Sequence, residues 1–154
     1  MRRESTKQNA PCGASIRKSG SNNQRMQDLY REHILDHYEN PRQNGEIEGA
    51  DISCERTSPL CGDRIRIYIK LGNDLTGVDD ARFTGDGCII SQAAVSMLLE
   101  DIQGKPLAEI ESLPPQHVLD LIGVPLTAQR VKCALLGLQA VKDGIKEWKA
   151  QAGR

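Results

Sequence analysis

Apolar and polar positions alternate most clearly over residues 63–71. The apolar members are Ile65, Ile67, Ile69 and Leu71, and polar or charged residues stand between them. A period of two predicts a strand with one face in the core and the other in water. Turn residues follow at 72–74, and we predict that the stretches 50–54 and 75–85 pair with this strand as its neighbours. The expected result is an antiparallel meander with one wet face.

Apolar residues that recur at steps of three and four predict helices before and after these strands. The first is expected from about Gln24 to Asn40, because a residue that precedes proline disfavours the α conformation. Shorter helices are predicted over 90–102, 107–111 and 115–122, and a last one from about Thr127, a residue type favoured as an N-cap. The apolar stripe of this last helix comprises Val131, Ala134, Leu138, Val141, Ile145 and Trp148. Three strands followed by helices predict an α+β fold, with a three-stranded antiparallel sheet packed against helices on one face.

The charge is unevenly distributed along the 154 residues, a length that suits one domain. Residues 1–25 contain six Lys or Arg and a single Glu, whereas the whole chain has a net charge of -1. This stretch is rich in Ser, Asn and Gly and has no hydrophobic period, so we predict a disordered basic tail over 1–24 and the domain over 25–150. An organelle transit peptide is the alternative, but the stretch lacks the leucines of an amphipathic helix.

The bulk composition excludes several classes of protein. A near-neutral chain gives no indication of a nucleic-acid or membrane partner. No apolar run approaches the roughly 18 residues of a spanning helix, and no secretory signal opens the chain. Five cysteines, an odd number, favour a reducing cytoplasm and metal or sulfur chemistry over a disulfide framework. We therefore expect a cytoplasmic protein.

Three cysteines and one aspartate lie where loops meet regular elements. Cys61 and Asp63 are two residues apart, so their side chains point the same way in an extended chain, and Gly62 between them permits an unusual backbone angle. Cys88 follows two glycines and begins a predicted helix, and Cys133 lies early in the last helix. Three thiolates favour zinc or iron–sulfur chemistry, whereas a carboxylate is unusual in a structural zinc site. Spacing alone leaves open whether the four share one ion.

Other candidate ligands are interpreted as structural. Cys54 lies in a predicted strand, where a small buried hydrophobic residue is expected, and Cys12 lies in the tail. His33 and His37 have the i, i+4 spacing of metal ligands, but no third ligand is near them in sequence. Helix packing or an ordinary helix surface is therefore the preferred interpretation.

Local motifs over residues 29–148 resemble the IscU/SufU family, the NifU amino-terminal domain type with its SufE/NifU-like fold. They are Asp36-His37-Tyr38-Glu39-Asn40-Pro41-Arg42, Pro59-Leu60-Cys61-Gly62-Asp63, Asp80-Ala81-Arg82-Phe83, Gly87-Cys88 and Lys132-Cys133. The resemblance implies iron–sulfur cluster assembly, with sulfur delivered as persulfide by a pyridoxal-phosphate cysteine desulfurase. It also implies that Cys61, Asp63, Cys88 and Cys133 bind zinc or a [2Fe–2S] cluster. Downstream cluster carriers or apo-proteins would be the further partners.

The residue before the third cysteine separates two branches of this family. IscU proteins have a histidine there, whereas this chain has Lys132, with Arg130 two residues earlier, as in SufU. The SufU resemblance implies a zinc-dependent sulfurtransferase in which Cys61 accepts the sulfur. We add the hypothesis that Arg130 or Lys132 stabilises the thiolate charge. The chain lacks the insertion of nearly twenty residues that SufU proteins carry before that cysteine, so it is IscU-like in length. A scaffold for a transient [2Fe–2S] cluster is the alternative function, and Asp63 disfavours a purely structural zinc adaptor.

Overall fold

The computed structural model describes residues 13–59 and 62–151, with side chains from residue 25 onward. The helices are α1 (Gly13–Glu39), α2 (Ile89–Asp101), α3 (Leu107–Glu111), α4 (Pro115–Ile122) and α5 (Ala128–Gln151). The strands are β1 (Ile52–Ser58), β2 (Asp63–Leu71) and β3 (Val78–Asp86). Among these helices, none is both long enough and apolar enough to cross a membrane.

The three strands form one antiparallel sheet in the order β1-β2-β3. Strand β2 lies in the centre, and Ile67 faces Cys54 on one side and Phe83 on the other. The inward residues of β2 are buried and the outward ones are more exposed, so the predicted alternation is confirmed. Strand β1 runs on to Ser58, past the predicted end at 54, because pairing with β2 continues through a polar stretch that has no hydrophobic signal of its own.

The core lies between one face of the sheet and the helices, which confirms the predicted α+β fold. Helix α5 packs on β1 and β2 and also contacts α2, and small residues allow this close approach. A Cβ added at Gly144 would lie 2.8 Å from Ile52 Cγ2, and one added at Gly137 would lie 2.8 Å from Val95 Cγ2. The position of α5 therefore depends on glycine at two contacts.

Helix α1 begins at Gly13, eleven residues before the predicted start. Residues 13–24 contain no proline, and extending an existing helix costs far less than starting one, so polar composition alone does not end it. This part of the predicted tail is helical, whereas residues 1–12, with Cys12, lie outside the described residues. The domain boundary at residue 24 stays a prediction.

The C-terminal end of α1 is fastened to α2 through a buried histidine. His37 Nδ1 lies 2.8 Å from Ser96 Oγ, which also accepts a hydrogen bond of 2.9 Å from the Arg42 amide. Desolvation, assisted by the positive charge of Arg42, lowers the pKa of His37, so the neutral ring is favoured. His33 packs edge-on against that ring. The histidine pair therefore has a packing role, as the sequence interpretation expected.

Candidate metal centre

Three of the four predicted ligands meet at one end of the sheet. Asp63 opens β2, Cys88 precedes α2 and Cys133 lies in the second turn of α5. One donor atom from each lies within 4.8 Å of the others. Asp63 and Cys133 are 2% and 0% exposed, and Cys88 is partly exposed. Cys61, the fourth predicted ligand, lies outside the described residues.

Asp63 and Cys88 are joined by direct hydrogen bonds. The Cys88 backbone N–H donates to Asp63 Oδ1 at 3.1 Å, and the Cys88 thiol lies 3.5 Å from Oδ2. Residues separated by 25 positions are thereby held together before any ion is considered. A buried carboxylate needs such donors or a cation to offset its desolvation.

A backbone hydrogen bond joins Ser58, the last residue of β1, to Gly62, the residue before β2. The Gly62 N–H donates to the Ser58 carbonyl at 2.8 Å, and Ser58 also faces Asp63 across the β1–β2 ladder. Gly62 has a φ of +71°, in the left-handed region that favours glycine. The unusual backbone angle predicted at Gly62 is therefore confirmed.

The two glycines before Cys88 allow close approach, of backbone atoms at Gly85 and of side chains at Gly87. A Cβ at Gly85 would lie 2.1 Å from the Arg64 carbonyl oxygen, and φ there is +151°. A Cβ at Gly87 would lie 2.4 Å from Ser91 Oγ and 3.0 Å from Asp63 Cγ. A larger residue at 87 would clash with the Ser91 hydroxyl and press on the Asp63 carboxylate.

Cys88 is the N-cap of α2. Its sulfur accepts a hydrogen bond from the Ser91 N–H at 3.4 Å, and the Ser91 hydroxyl donates to the Cys88 carbonyl at 3.1 Å. The partial positive charge of a helix N-terminus favours the thiolate form of a cysteine. The predicted placement of Cys88 at a helix start is confirmed.

Cys133 is positioned by the start of α5. Thr127 caps the helix: its Oγ1 accepts from the Arg130 N–H at 3.3 Å, and its carbonyl accepts from the Val131 N–H at 2.9 Å. Cys133 lies off the apolar stripe of this helix, yet it is fully buried, because α5 packs against the site as well as against the sheet.

The donor set fits a small thiophilic ion. Two sulfurs and one carboxylate oxygen converge in a mostly buried place, and thiolate ligands select zinc or iron–sulfur centres. Zinc commonly takes four ligands in a tetrahedron, so three described donors leave one position for a further ligand.

Arg130 and Lys132 line two different clefts. A cleft of about 490 Å³ over Cys88 is lined by Arg130 together with Tyr38 and Ile89, and the latter two are each 40% exposed. Lys132 lines a second cleft of about 270 Å³ beside Pro59 and the end of β1. Sequence reasoning missed Tyr38 and Ile89 as cleft residues. Their places within the first motif and directly after Cys88 were the available signals.

Comparison with known proteins agrees with this geometry. Residues 29–154 match the family described as NifU-like N terminal domain. The chain belongs to this family. It is 35% identical to the zinc-dependent sulfurtransferase SufU of Bacillus subtilis (strain 168) over 140 aligned positions, which cover 80% of this chain and 93% of SufU. It is 34% identical to the iron–sulfur cluster assembly scaffold protein IscU of Aquifex aeolicus over 125 positions, which cover 81% of this chain and 79% of IscU.

Solved structures support the same assignment. A putative iron–sulfur cluster assembly scaffold protein for the SUF system of Fervidobacterium islandicum AW-1 superposes with a TM-score of 0.63 at 27% identity, over 74% of this chain and 94% of that one. A NifU-like N-terminal protein of Brucella abortus shares the fold, with a TM-score of 0.65 at 21% identity over 80% and 96% of the two chains. The predicted family and fold are confirmed, and the NifU-like chain is a member of an iron–sulfur cluster assembly family.

The two sequence alignments also differ in length. The alignment with SufU has more positions than the part of this chain that it covers, so SufU contains residues that this chain lacks. The alignment with IscU shows no such surplus. The identities to the two relatives are nearly equal, 35% and 34%, so the extra residues of SufU are the clearer difference between the two alignments.

Proposed function

We propose that this NifU-like chain accepts persulfide sulfur from a pyridoxal-phosphate cysteine desulfurase at a zinc site. The observation that carries the proposal is the buried convergence of Asp63, Cys88 and Cys133, with donor atoms within 4.8 Å of one another. Cys61, two residues before Asp63, is the proposed fourth ligand and the accepting thiol. The 35% identity to a zinc-dependent sulfurtransferase supports this choice.

Bound zinc would keep the ligand thiols deprotonated and protected from oxidation. The chain's own residues then divide the work. Cys88 is held at the N-terminus of α2 and by the Ser91 N–H, and Cys133 is fully buried on α5. The carboxylate of Asp63 is a harder ligand than a thiolate, so it suits a site that must exchange ligands.

The sulfur transfer is a thiol exchange at Cys61. Its thiolate attacks the outer sulfur of the donor persulfide and forms a new S–S bond, while the donor's own S–S bond breaks and the donor cysteine leaves as a thiolate. Negative charge persists at the exchanging sulfurs throughout. We propose that Lys132, in the cleft beside Ser58 and Pro59, stabilises this negative charge. Arg130, in the cleft over Cys88, would stabilise charge on that side of the site.

The test is desulfurase turnover with cysteine as substrate, together with the mass of the acceptor protein. We expect the wild-type chain to accelerate turnover and to gain the mass of one sulfur atom on Cys61. Cys61→Ala should do neither, whereas the matched control Cys54→Ala should behave as wild type. If Cys61→Ala accelerated the desulfurase as well as the wild type, the proposal would be wrong.

A scaffold function is the second candidate. It is favoured by the alignment with IscU, which shows no extra residues that this chain lacks. On this proposal the same four residues carry a transient [2Fe–2S] cluster as cargo and pass it to downstream carriers or apo-proteins. Protein purified without oxygen separates the candidates. About one equivalent of zinc and no colour supports the transfer function, whereas a brown protein with iron and sulfide supports the scaffold.

A further inference from the structure

Gln92 carries a buried side-chain nitrogen without a hydrogen-bond partner. Among the described residues, its Nε2 is the one buried side-chain nitrogen or oxygen in that state. A glutamine amide offers two N–H donors, and leaving a buried donor unpaired costs free energy. Nearly all buried polar groups in proteins are paired, so an acceptor is expected to reach Gln92 in the working state of the protein.

The position of Gln92 on α2 indicates where that acceptor is. Gln92 follows Cys88 by four residues, and its backbone N–H donates to the Cys88 carbonyl at 3.1 Å. Residues four apart share one face of a helix, and helical side chains lean toward the N-terminus over the preceding turn. Toward the C-terminus of α2, the next residue on this face is Ser96, whose hydroxyl already bonds His37 and Arg42. By this helical geometry, the turn that begins at Cys88 is within reach of the Gln92 amide.

We propose that Gln92 donates an N–H···S hydrogen bond to the Cys88 thiolate when the site holds metal. In the structure the Cys88 sulfur lies 3.5 Å from Asp63 Oδ2 and accepts one bond from the Ser91 N–H. A thiolate ligand carries negative charge and accepts stronger, charge-assisted hydrogen bonds.

This positioning role distinguishes the cysteines of the site, and it rests on the metal centre of the proposed function. Two N–H donors on Cys88, from Ser91 and Gln92, hold its charge in place and make the sulfur a poorer nucleophile. Partners of metal ligands orient those ligands and tune their affinity. Cys88 is thereby the retained ligand, and Cys61 is left as the thiol that exchanges.

The first test is thermal unfolding of Gln92→Met with and without Zn²⁺. Methionine keeps the length of the side chain but has no donor. Without metal we expect the variant to unfold at the wild-type temperature or slightly above it, because an unpaired donor has been removed. With saturating Zn²⁺ its gain in unfolding temperature should be smaller than that of the wild type.

Gln103→Met is the matched control. Gln103 Nε2 already donates to the Ala81 and Leu99 carbonyls, at 3.3 and 3.4 Å, so its loss should lower the unfolding temperature of the metal-free and metal-bound proteins alike. The same pattern in Gln92→Met, or a Gln92→Met protein that fails to fold without metal, would overturn the inference.

The second test is the absorption of the Co²⁺-bound protein. A hydrogen bond lowers the energy of sulfur electrons, so its loss in Gln92→Met, or in the second variant Gln92→Leu, should move the thiolate-to-cobalt band to longer wavelength. Alkylation of Cys88 in the zinc-bound variant should be several-fold faster. An unshifted band, together with a gain in unfolding temperature from Zn²⁺ equal to that of the wild type, would refute the role of Gln92 and leave the metal centre standing. A wild-type protein that gains nothing from Zn²⁺ refutes the metal centre itself.

Discussion

Two buried cysteines, Cys54 and Cys133, lie at helix α5, but the side chains around them differ. Cys54 projects from β1, and its Cβ would lie 3.2 Å from a Cβ at Gly144. Cys133 projects from α5 itself and is 0% exposed. Beside Cys54, the side chain of Ile52 packs against Gly144, so the surroundings are apolar. Beside Cys133, Asp63 and Cys88 offer donor atoms within 4.8 Å.

The difference shows that burial makes a cysteine a hydrophobic residue, whereas convergence of donors makes it a candidate ligand. Desolvation raises the pKa of the Cys54 thiol, and the nearby carboxylates of Glu147 and Asp143 raise it further. A thiol of that kind is unreactive. The interpretation of Cys54 as a small buried hydrophobic residue is confirmed by its 9% exposure.

The largest expected contrast is in metal affinity. Cys133→Ala should lose Zn²⁺ affinity by at least about 100-fold, because changing only the partners of ligands already costs about 10–100-fold. Cys54→Ala should bind Zn²⁺ as the wild type does and lose about 1 kcal/mol of unfolding free energy. Competition with a chromophoric chelator measures the first quantity, and urea unfolding measures the second. Equal affinities in the two variants would remove the distinction.

Gly85→Ala is expected to have the next largest effect, on the fold that supports the site. The new Cβ would lie 2.1 Å from a backbone oxygen, and φ is already in a region that alanine avoids. Together these should cost roughly 2–4 kcal/mol of unfolding free energy. Chemical denaturation tests this. Wild-type stability in Gly85→Ala would mean that β2 and β3 can separate locally at no cost.

A smaller pair of changes separates packing from ligation. Gly87→Ala places a Cβ 2.4 Å from Ser91 Oγ and 3.0 Å from Asp63 Cγ, and Gly144→Ala places one 2.8 Å from Ile52 Cγ2. Both should lose about 1–3 kcal/mol of stability. We expect only Gly87→Ala to lose Zn²⁺ affinity as well, by about 10-fold. Urea unfolding and Zn²⁺ competition on both variants test this prediction. A loss of Zn²⁺ affinity in Gly144→Ala would show that packing at Gly144 and the metal centre are coupled.

The smallest expected effect is a pH dependence from Cys54. Its folded-state pKa is raised, whereas the unfolded thiol keeps an ordinary value of about 9. The unfolded state therefore releases this proton first, so stability is complete below about pH 9 and falls as the pH rises through the folded pKa. Urea unfolding at about pH 8 and about pH 10 should show a steeper fall in the wild type than in Cys54→Ala. Identical slopes would mean that Cys54 ionises as easily when folded.

The predictable part of the fold is the part with a local signal. The alternation in β2, the cap at Thr127 and the break before Pro41 each depend on neighbours within a few residues. The length of β1 and the start of α1 were predicted wrongly. Pairing with β2 continues through a polar stretch in one case, and helix extension continues through a polar stretch in the other. Neither leaves a hydrophobic period in the sequence.

The sequence by itself determined the candidate ligands and the glycines beside them, because ligand chemistry and backbone freedom belong to individual residue types. Motifs of consecutive residues were also enough to indicate the family. Tertiary structure decided that Asp63, Cys88 and Cys133 share one place, since contacts between residues far apart in the chain depend on how the sheet and α5 pack. It also decided that Arg130 and Lys132 line separate clefts and that Gln92 has an unpaired donor. Burial and partnership are properties of the packed molecule, which local sequence does not encode.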